Sequence, residues 1–206
     1  MILILILDQW LKVYIKLNYS IGGGFNLLGL EWARIHFIEN EGMAFGMSFG
    51  GVVGKYILSL FRILMVFFLI YFLRSLMKAK EPFGLQISFA LIIAGAIGNI
   101  LDSMFYGLLF SASKYHGGVA EFMPEEGGYA GFLQGSVVDM FHFPMFDGHF
   151  PEWLPVWGGE SFLFFRPVFN VADSAISIGV FLILIFHRSY FISKDKKVKD
   201  NTPITE

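Results

Sequence analysis

The chain has 206 residues, of which 55% are hydrophobic and only 16% charged, and its mean hydropathy is positive, which is too apolar for an ordinary soluble domain. A formal net charge of −2 gives no electrostatic support for a nucleic-acid partner. With no cysteine, a thiol nucleophile, a disulfide framework and a thiolate metal site are all excluded.

Four stretches, 2–17, 55–77, 83–109 and 164–190, are long or apolar enough to be considered as membrane spans, which need about 20 residues each. The first is short and interrupted by Asp8, Lys12 and Lys16. It lacks the basic start and small-residue cleavage site of a secretory signal, and its missing length raises the expectation that the natural chain starts upstream. Asp8 and Lys12 are four residues apart, on one helix face, where they can pair towards the bundle interior. Residues 31–38 alternate enough for a strand at the membrane surface, and Asn40-Glu41-Gly42 predicts a turn after it. Gly46-Met47-Ser48-Phe49-Gly50 matches a hydrolase elbow by letter alone, because it lies between a turn and a membrane span instead of inside a soluble α/β sheet.

The second span carries Arg62, whose partner the sequence does not name. In the third, Ala94-Gly95-Ala96-Ile97-Gly98 is a small-residue face suited to close helix packing, and Asn99 and Asp102 share that face and must point inward. The stretch 110–165 is rich in Gly, Pro and aromatic residues, as suits a bilayer interface. His142 and His149 fit no familiar ligand spacing, so no metal or other cofactor is expected. One domain over 1–192 and a polar, disordered cytoplasmic tail over 193–206 complete the organisation. Basic residues at Arg74, Lys78 and Lys80, and again from Arg188 to Lys199, place both termini in the cytoplasm; Lys12 and Lys16 count mildly against this.

Two carboxylates carry the chemistry. Asp139 lies in Val137-Val138-Asp139-Met140-Phe141, and Asp173 heads the last apolar stretch. A charge beside that much hydrocarbon costs roughly 2.5–3.5 kcal/mol or more and usually persists for a function. If the two converge, they can share a proton and activate a water molecule. From residue types alone, a solvated loop aspartate at 139 and a simple helix cap at 173 explain them equally well.

Five blocks, in order, resemble one family: Asp8-Gln9-x-x-Lys12, Asn40-Glu41-Gly42-Met43-Ala44-Phe45-Gly46, Gly95-Ala96-Ile97-Gly98-Asn99-Ile100-Leu101-Asp102, Val137-Val138-Asp139 and Phe169-Asn170-Val171-Ala172-Asp173-Ser174. They resemble the lipoprotein signal peptidases (signal peptidase II) from the first span to the last. The resemblance implies an all-α membrane protein with four transmembrane helices, a small β-containing outer portion and long outer loops. It implies a monomeric aspartyl endopeptidase of the bacterial inner membrane, with its active site near the outer leaflet. Such an enzyme meets membrane lipids and cuts prolipoproteins before a diacylglyceryl-modified cysteine. By motif, Asp139 and Asp173 would be catalytic, Asn40, Gly42, Asn99, Asp102 and Asn170 would support the site or bind substrate, and Asp8 and Lys12 would form a structural or positioning pair. Ser103 stands where many members carry Arg, and the outer stretches are longer than in compact members, so their Phe and Trp residues could form a lid or a lipid-facing shelf. A small carrier using Asp8, Asp102, Asp139 and Asp173 as an ion relay is the competing class, and a membrane scaffold the third.

Overall fold

The structure, a computed structural model, describes residues 1–41 and 51–190. Gly42, the Gly46–Gly50 match and the tail beyond residue 190 therefore lie outside the described residues.

Helix α1 (Ile2–Asn18) is built from Ile and Leu interrupted by polar residues that recur every four positions. Its buried residues, Asp8, Lys12, Ile15 and Lys16, form one stripe, while Ile2, Leu3 and Trp10 face outward. That is the reverse of a soluble amphipathic helix, whose apolar stripe faces the core. Helix α2 (Gly51–Lys78) buries little beyond Gly54, Ser59, Val66 and Leu76, and exposes Phe61, Leu64, Phe67, Phe68 and Tyr71. Helix α3 (Phe83–Leu109) and helix α4 (Val171–Phe186) complete the helical half. Apolar side chains cover the outside of all four, a surface that needs hydrocarbon around it. Helices α2 and α3 are long and apolar enough to cross a bilayer, and α4 is apolar but shorter.

Close approach of α3 and α4 depends on missing side chains. A Cβ on Gly95 would collide with the Ala172 carbonyl, one on Gly98 would meet Asp8 Oδ2 and Ala172, and one on Gly179 would meet the Ser88 carbonyl. The small face predicted in the third span is thus a helix-packing face, although it also brings Asp8 against α3. Towards its C-terminal end α3 widens into a π turn over Asp102–Tyr106. Carbonyls there accept from the incoming loop: Gly135 N–H donates to Ser103 O at 2.9 Å and Ala130 N–H to Gly107 O at 2.9 Å.

The other half is β. Strands β1 (Gly24–Asn26), β2 (Arg34–Asn40), β3 (Val137–His142) and β6 (Val168–Phe169) form an antiparallel sheet in the order β1-β2-β3-β6. A separate hairpin pairs β4 (Phe146–His149) with β5 (Ser161–Phe164). Alternation along β3 sends Val138 and Met140 into a core with Ile15 of α1, Ile35 and Phe37 of β2, and Tyr106 and Phe110 at the end of α3. Asp139, between them in sequence, faces the opposite side.

Two sequence expectations are corrected here. The last helix begins at Val171 and not near 164, because Phe164 to Phe169 is spent on β5, a turn and β6. Asn40 ends strand β2, and the turn expected over Asn40-Glu41-Gly42 runs outside the described residues at Gly42. Asp139 lies on the sheet strand with a central place between β2 and β6, not in a loop, and is 2% exposed.

Because Gly95 permits the α3–α4 contact, Gly95→Ile should lower thermal stability in detergent micelles by about 1–3 kcal/mol, the usual cost of overpacking. Ile87→Val, at a 40% exposed position of the same helix, should leave the melting curve almost unchanged.

Candidate active site

Residue 170 starts the site. The side chain of Asn170 caps α4 by accepting from Asp173 N–H at 2.9 Å, and its own backbone N–H donates to Asp173 Oδ2 at 3.3 Å, a reciprocal capping box. The amide of the same side chain donates to Asp139 Oδ1 at 2.7 Å. One asparagine therefore joins the strand carboxylate to the helix carboxylate. Asn40, at the end of β2, donates to the other oxygen, Asp139 Oδ2, at 3.3 Å. Asn99 of α3 donates to Asp173 Oδ1 at 2.8 Å.

Beneath this pair lies a buried ion cluster. Lys12 Nζ is fully buried and its three N–H groups meet Asp8 Oδ2 at 2.9 Å, Asp102 Oδ2 at 2.9 Å and Asn99 Oδ1 at 2.8 Å. Asp8 Oδ1 accepts from Ala172 N–H at 2.8 Å, one of the unpaired amides at the start of α4. Asp102 accepts from Val138 N–H at 3.2 Å and from Gln9 Nε2 at 2.8 Å. Asn99 links the two levels, since its oxygen also accepts from Asn170 at 3.1 Å while its amide reaches Asp173. Asn99 and Asp102 thus do face inward, each to a polar partner.

Asp139 is pushed above the usual carboxylate range, to about 7, chiefly by burial and next by the negative charge of Asp173; the amides of Asn40 and Asn170 and the charge of Lys12 oppose the rise. A carboxyl of that kind keeps its proton up to near-neutral pH. Two linked carboxyls at the edge of an apolar cavity of about 250 Å³, which Asp173 and Asn99 line, can polarise a water molecule and exchange protons with a bound amide.

Eight of the nine sequence-predicted site residues fall in this one network: Asp8, Lys12, Asn40, Asn99, Asp102, Asp139, Asn170 and Asp173. The ninth, Gly42, lies outside the described residues. His142 is not part of it. It accepts from Arg34 Nε at 3.1 Å, and burial, Arg34 and His36 together depress its basicity. His149 is in the other sheet. Ser103 is buried and donates to Asn99 O at 3.2 Å, within its own helix. Sequence reasoning passed over Gln9, which donates to Asp102 and to Gly98 O at 3.1 Å and accepts from Tyr106 Oη at 3.3 Å. It also passed over Lys16, whose ammonium pairs with Glu39 and donates to Ser113 Oγ at 2.9 Å beside the ring of Tyr129. The signal was available, because each is a polar residue inside an apolar span and needs a partner.

Breaking the cluster from its centre isolates charge. Lys12→Met leaves Asp8 and Asp102 facing each other in a dry site, and should cost about 3–5 kcal/mol of stability, readable as a lower melting temperature. Replacing Asp8 and Asp102 as well by Asn should recover a large part of that loss.

Comparison with known proteins places the chain in a family. The family description Signal peptidase (SPase) II matches residues 1–188. A lipoprotein signal peptidase of Porphyromonas gingivalis is 49% identical over 185 residues, 89% of this chain and 79% of that protein. One from Amoebophilus asiaticus is 33% identical over 191 residues, covering 91% and 75%. Among solved structures, a bacterial membrane enzyme is similar with a TM-score of 0.57 at 23% identity, over 99% of this chain and 91% of that one. A second bacterial membrane enzyme structure has a TM-score of 0.56 at 25% identity, over 89% and 86%. The carrier and scaffold readings end with these matches. With a membrane fold, a linked carboxyl pair and a family match over nearly its whole length, the chain belongs to the signal peptidase II family, the membrane-embedded aspartic peptidases that remove signal peptides from prolipoproteins.

Proposed function

We propose that Asp139 and Asp173 are the catalytic pair of this peptidase, with Asp139 as the proton donor and Asp173 as the base. The observation that carries this reading is the single side chain of Asn170, which bonds Asp139 directly and ties Asp173 into the α4 cap. Asp173 takes a proton from a water molecule as the oxygen attacks the scissile carbonyl carbon. Asp139 gives its proton to the carbonyl oxygen, and a tetrahedral diol results. Collapse of that diol breaks the C–N bond, with a proton passed to the leaving amine from Asp173 and one returned from the hydroxyl to Asp139. Both carboxyls end as they began.

Four transmembrane helices, both termini in the cytoplasm of a bacterial inner membrane, and a site near the outer leaflet fit this chemistry. The sheet and hairpin then sit at the outer surface, where the substrate's cleavage point, next to a diacylglyceryl-modified cysteine, emerges from the bilayer. The lipid on that cysteine would stay among membrane lipids while the peptide bond enters the site. A monomer suffices, since every residue of the network comes from one chain. Asn40, Asn99 and Asn170 hold the pair, and Asp8, Lys12 and Asp102 hold Asn99 and the start of α4. Residues 1–192 form one domain in this reading.

Asp139→Asn and Asp173→Asn should each reduce cleavage of a synthetic diacylglyceryl prolipoprotein by at least about 10³-fold, on the scale of losing a general acid or base. Their melting temperatures should stay close to that of the parent. Turnover retained by either purified variant would remove that residue from the pair. The pH profile has a definite sign. Asp139 is protonated below about 7, so kcat/KM should fall as pH rises through that value. Asn40→Ala removes a donor that favours the ionised form, and should move this descending limb to higher pH.

A further inference from the structure

The second span's single interior charge has so far no task. Arg62 is the one charged residue of α2 between Lys55 and Arg74, and it is only partly exposed. It lines the apolar cavity together with Phe61, Met65 and Leu69 of its own helix, Asn99 of α3 and Asp173 of α4. Its positive charge is attracted first by Asp173 and then by Asp139. An arginine so placed is not a residue reaching for the membrane surface. It shares the lining of the space that a guest would enter with Asp173, and its charge is attracted by both carboxyls.

The hydrogen-bond inventory of that wall is short. Asn99 commits one of its two amide N–H groups to Asp173 and its oxygen to Lys12 and Asn170. Asp173 is an acceptor, and the other lining side chains are apolar. Arg62 therefore supplies most of the side-chain donors among the residues that line this cavity, five N–H groups in a fixed fork, enough for an existing partner and a guest together. A signal peptide arriving as a helix must unwind around the bond to be cut, which strips several backbone carbonyls of their partners. In a site bordered by hydrocarbon those acceptors must be met by the protein.

We propose that Arg62 is a substrate-binding residue of this site, donating from α2 to backbone carbonyl oxygens of the signal-peptide segment unwound beside the scissile bond. The inference rests on the assignment of Asp139 and Asp173 as the catalytic pair. Through the same contact Arg62 sets the distance of the carbonyl from Asp173, so the residue acts on binding first and on turnover second. Lysine in its place keeps the charge but loses the planar fork, and with it the fixed geometry that aligns two carbonyls.

The test separates binding from turnover. In lipid nanodiscs, a fluorescent diacylglyceryl prolipoprotein peptide is titrated by anisotropy against Asp139→Asn and against Asp139→Asn combined with Arg62→Gln. The combined variant should bind roughly ten-fold more weakly, as expected for loss of hydrogen bonds to a charged donor. In the otherwise unaltered enzyme, Arg62→Gln should raise KM by a similar factor, with a smaller fall in kcat, and Arg62→Lys should recover part of the loss. Thermal unfolding of each variant checks that the fold persists. Unchanged affinity and KM would overturn the proposal. A fall in kcat alone, with a displaced pH limb, would also overturn it, by showing that Arg62 acts only on the carboxyls. Cleavage surviving in Asp139→Asn would instead reject the catalytic pair, an outcome distinguishable from any of these.

Discussion

Everything at the centre of this protein is arranged around one buried ammonium group. Lys12 sits on a helix whose other faces are hydrocarbon, and none of its surface meets solvent. A lone cation there would be intolerable, so its three donors are matched by three acceptors: two carboxylates and an amide oxygen. Each acceptor in turn holds another element. Asp8 takes the amide of Ala172 at the start of α4, Asp102 takes the amide of Val138 on β3, and Asn99 reaches Asp173. The cluster thereby fixes the first turn of a helix and the middle of a strand relative to each other, and those are the two places from which the candidate carboxyls come.

Function follows from this division of labour. Charges that are fully matched are kept inside the helical bundle, where they build structure. The candidate carboxyls, Asp139 and Asp173, are at the seam between bundle and sheet, and Asp173 lines a cavity that Arg62 also lines. Asn170 and Asn99 carry information between the levels because an amide side chain can donate and accept at once. A carboxylate or a lysine at either position could do only one of these and would add a charge to a site already balanced.

Close backbone contact makes the arrangement possible. Gly95 and Gly98 let α3 touch the Ala172 turn and let Asp8 lie against α3, so the ion cluster and the α4 cap occupy neighbouring layers. The π turn near the C-terminal end of α3 then turns its carbonyls towards residues 130–135, and this loop delivers β3 into the sheet with Val138 beside Asp102. Outside the sheet, the β4–β5 hairpin exposes Phe146, Phe162 and Phe164, and Trp153 and Trp157 stand on the loop joining its strands. It is the aromatic-rich stretch that the sequence marked as suited to an interface.

The sequence alone determined the family, its apolar helices and the polar residues that meet at the candidate site, for a simple reason. Polar groups are so costly in hydrocarbon that each one stands out, and Asp8, Lys12, Asn99, Asp102 and Asp173 are visible by that cost alone. Five short blocks in order then named the family. Tertiary structure decided what spacing cannot encode. Asp139 reads as a loop residue because its strand is flanked by apolar residues on both sides, and only pairing with β2 and β6 makes it a buried strand position. The last helix starts seven residues later than its hydropathy suggests, since Phe-rich β5 and β6 are as apolar as a helix. The partners of Lys12 and Lys16 come from residues far away in sequence, at Asp102 and Glu39, and Arg62 shares its cavity with Asp173. Hydrophobicity says that a charge must be matched; only the packing of helices and sheet says by what.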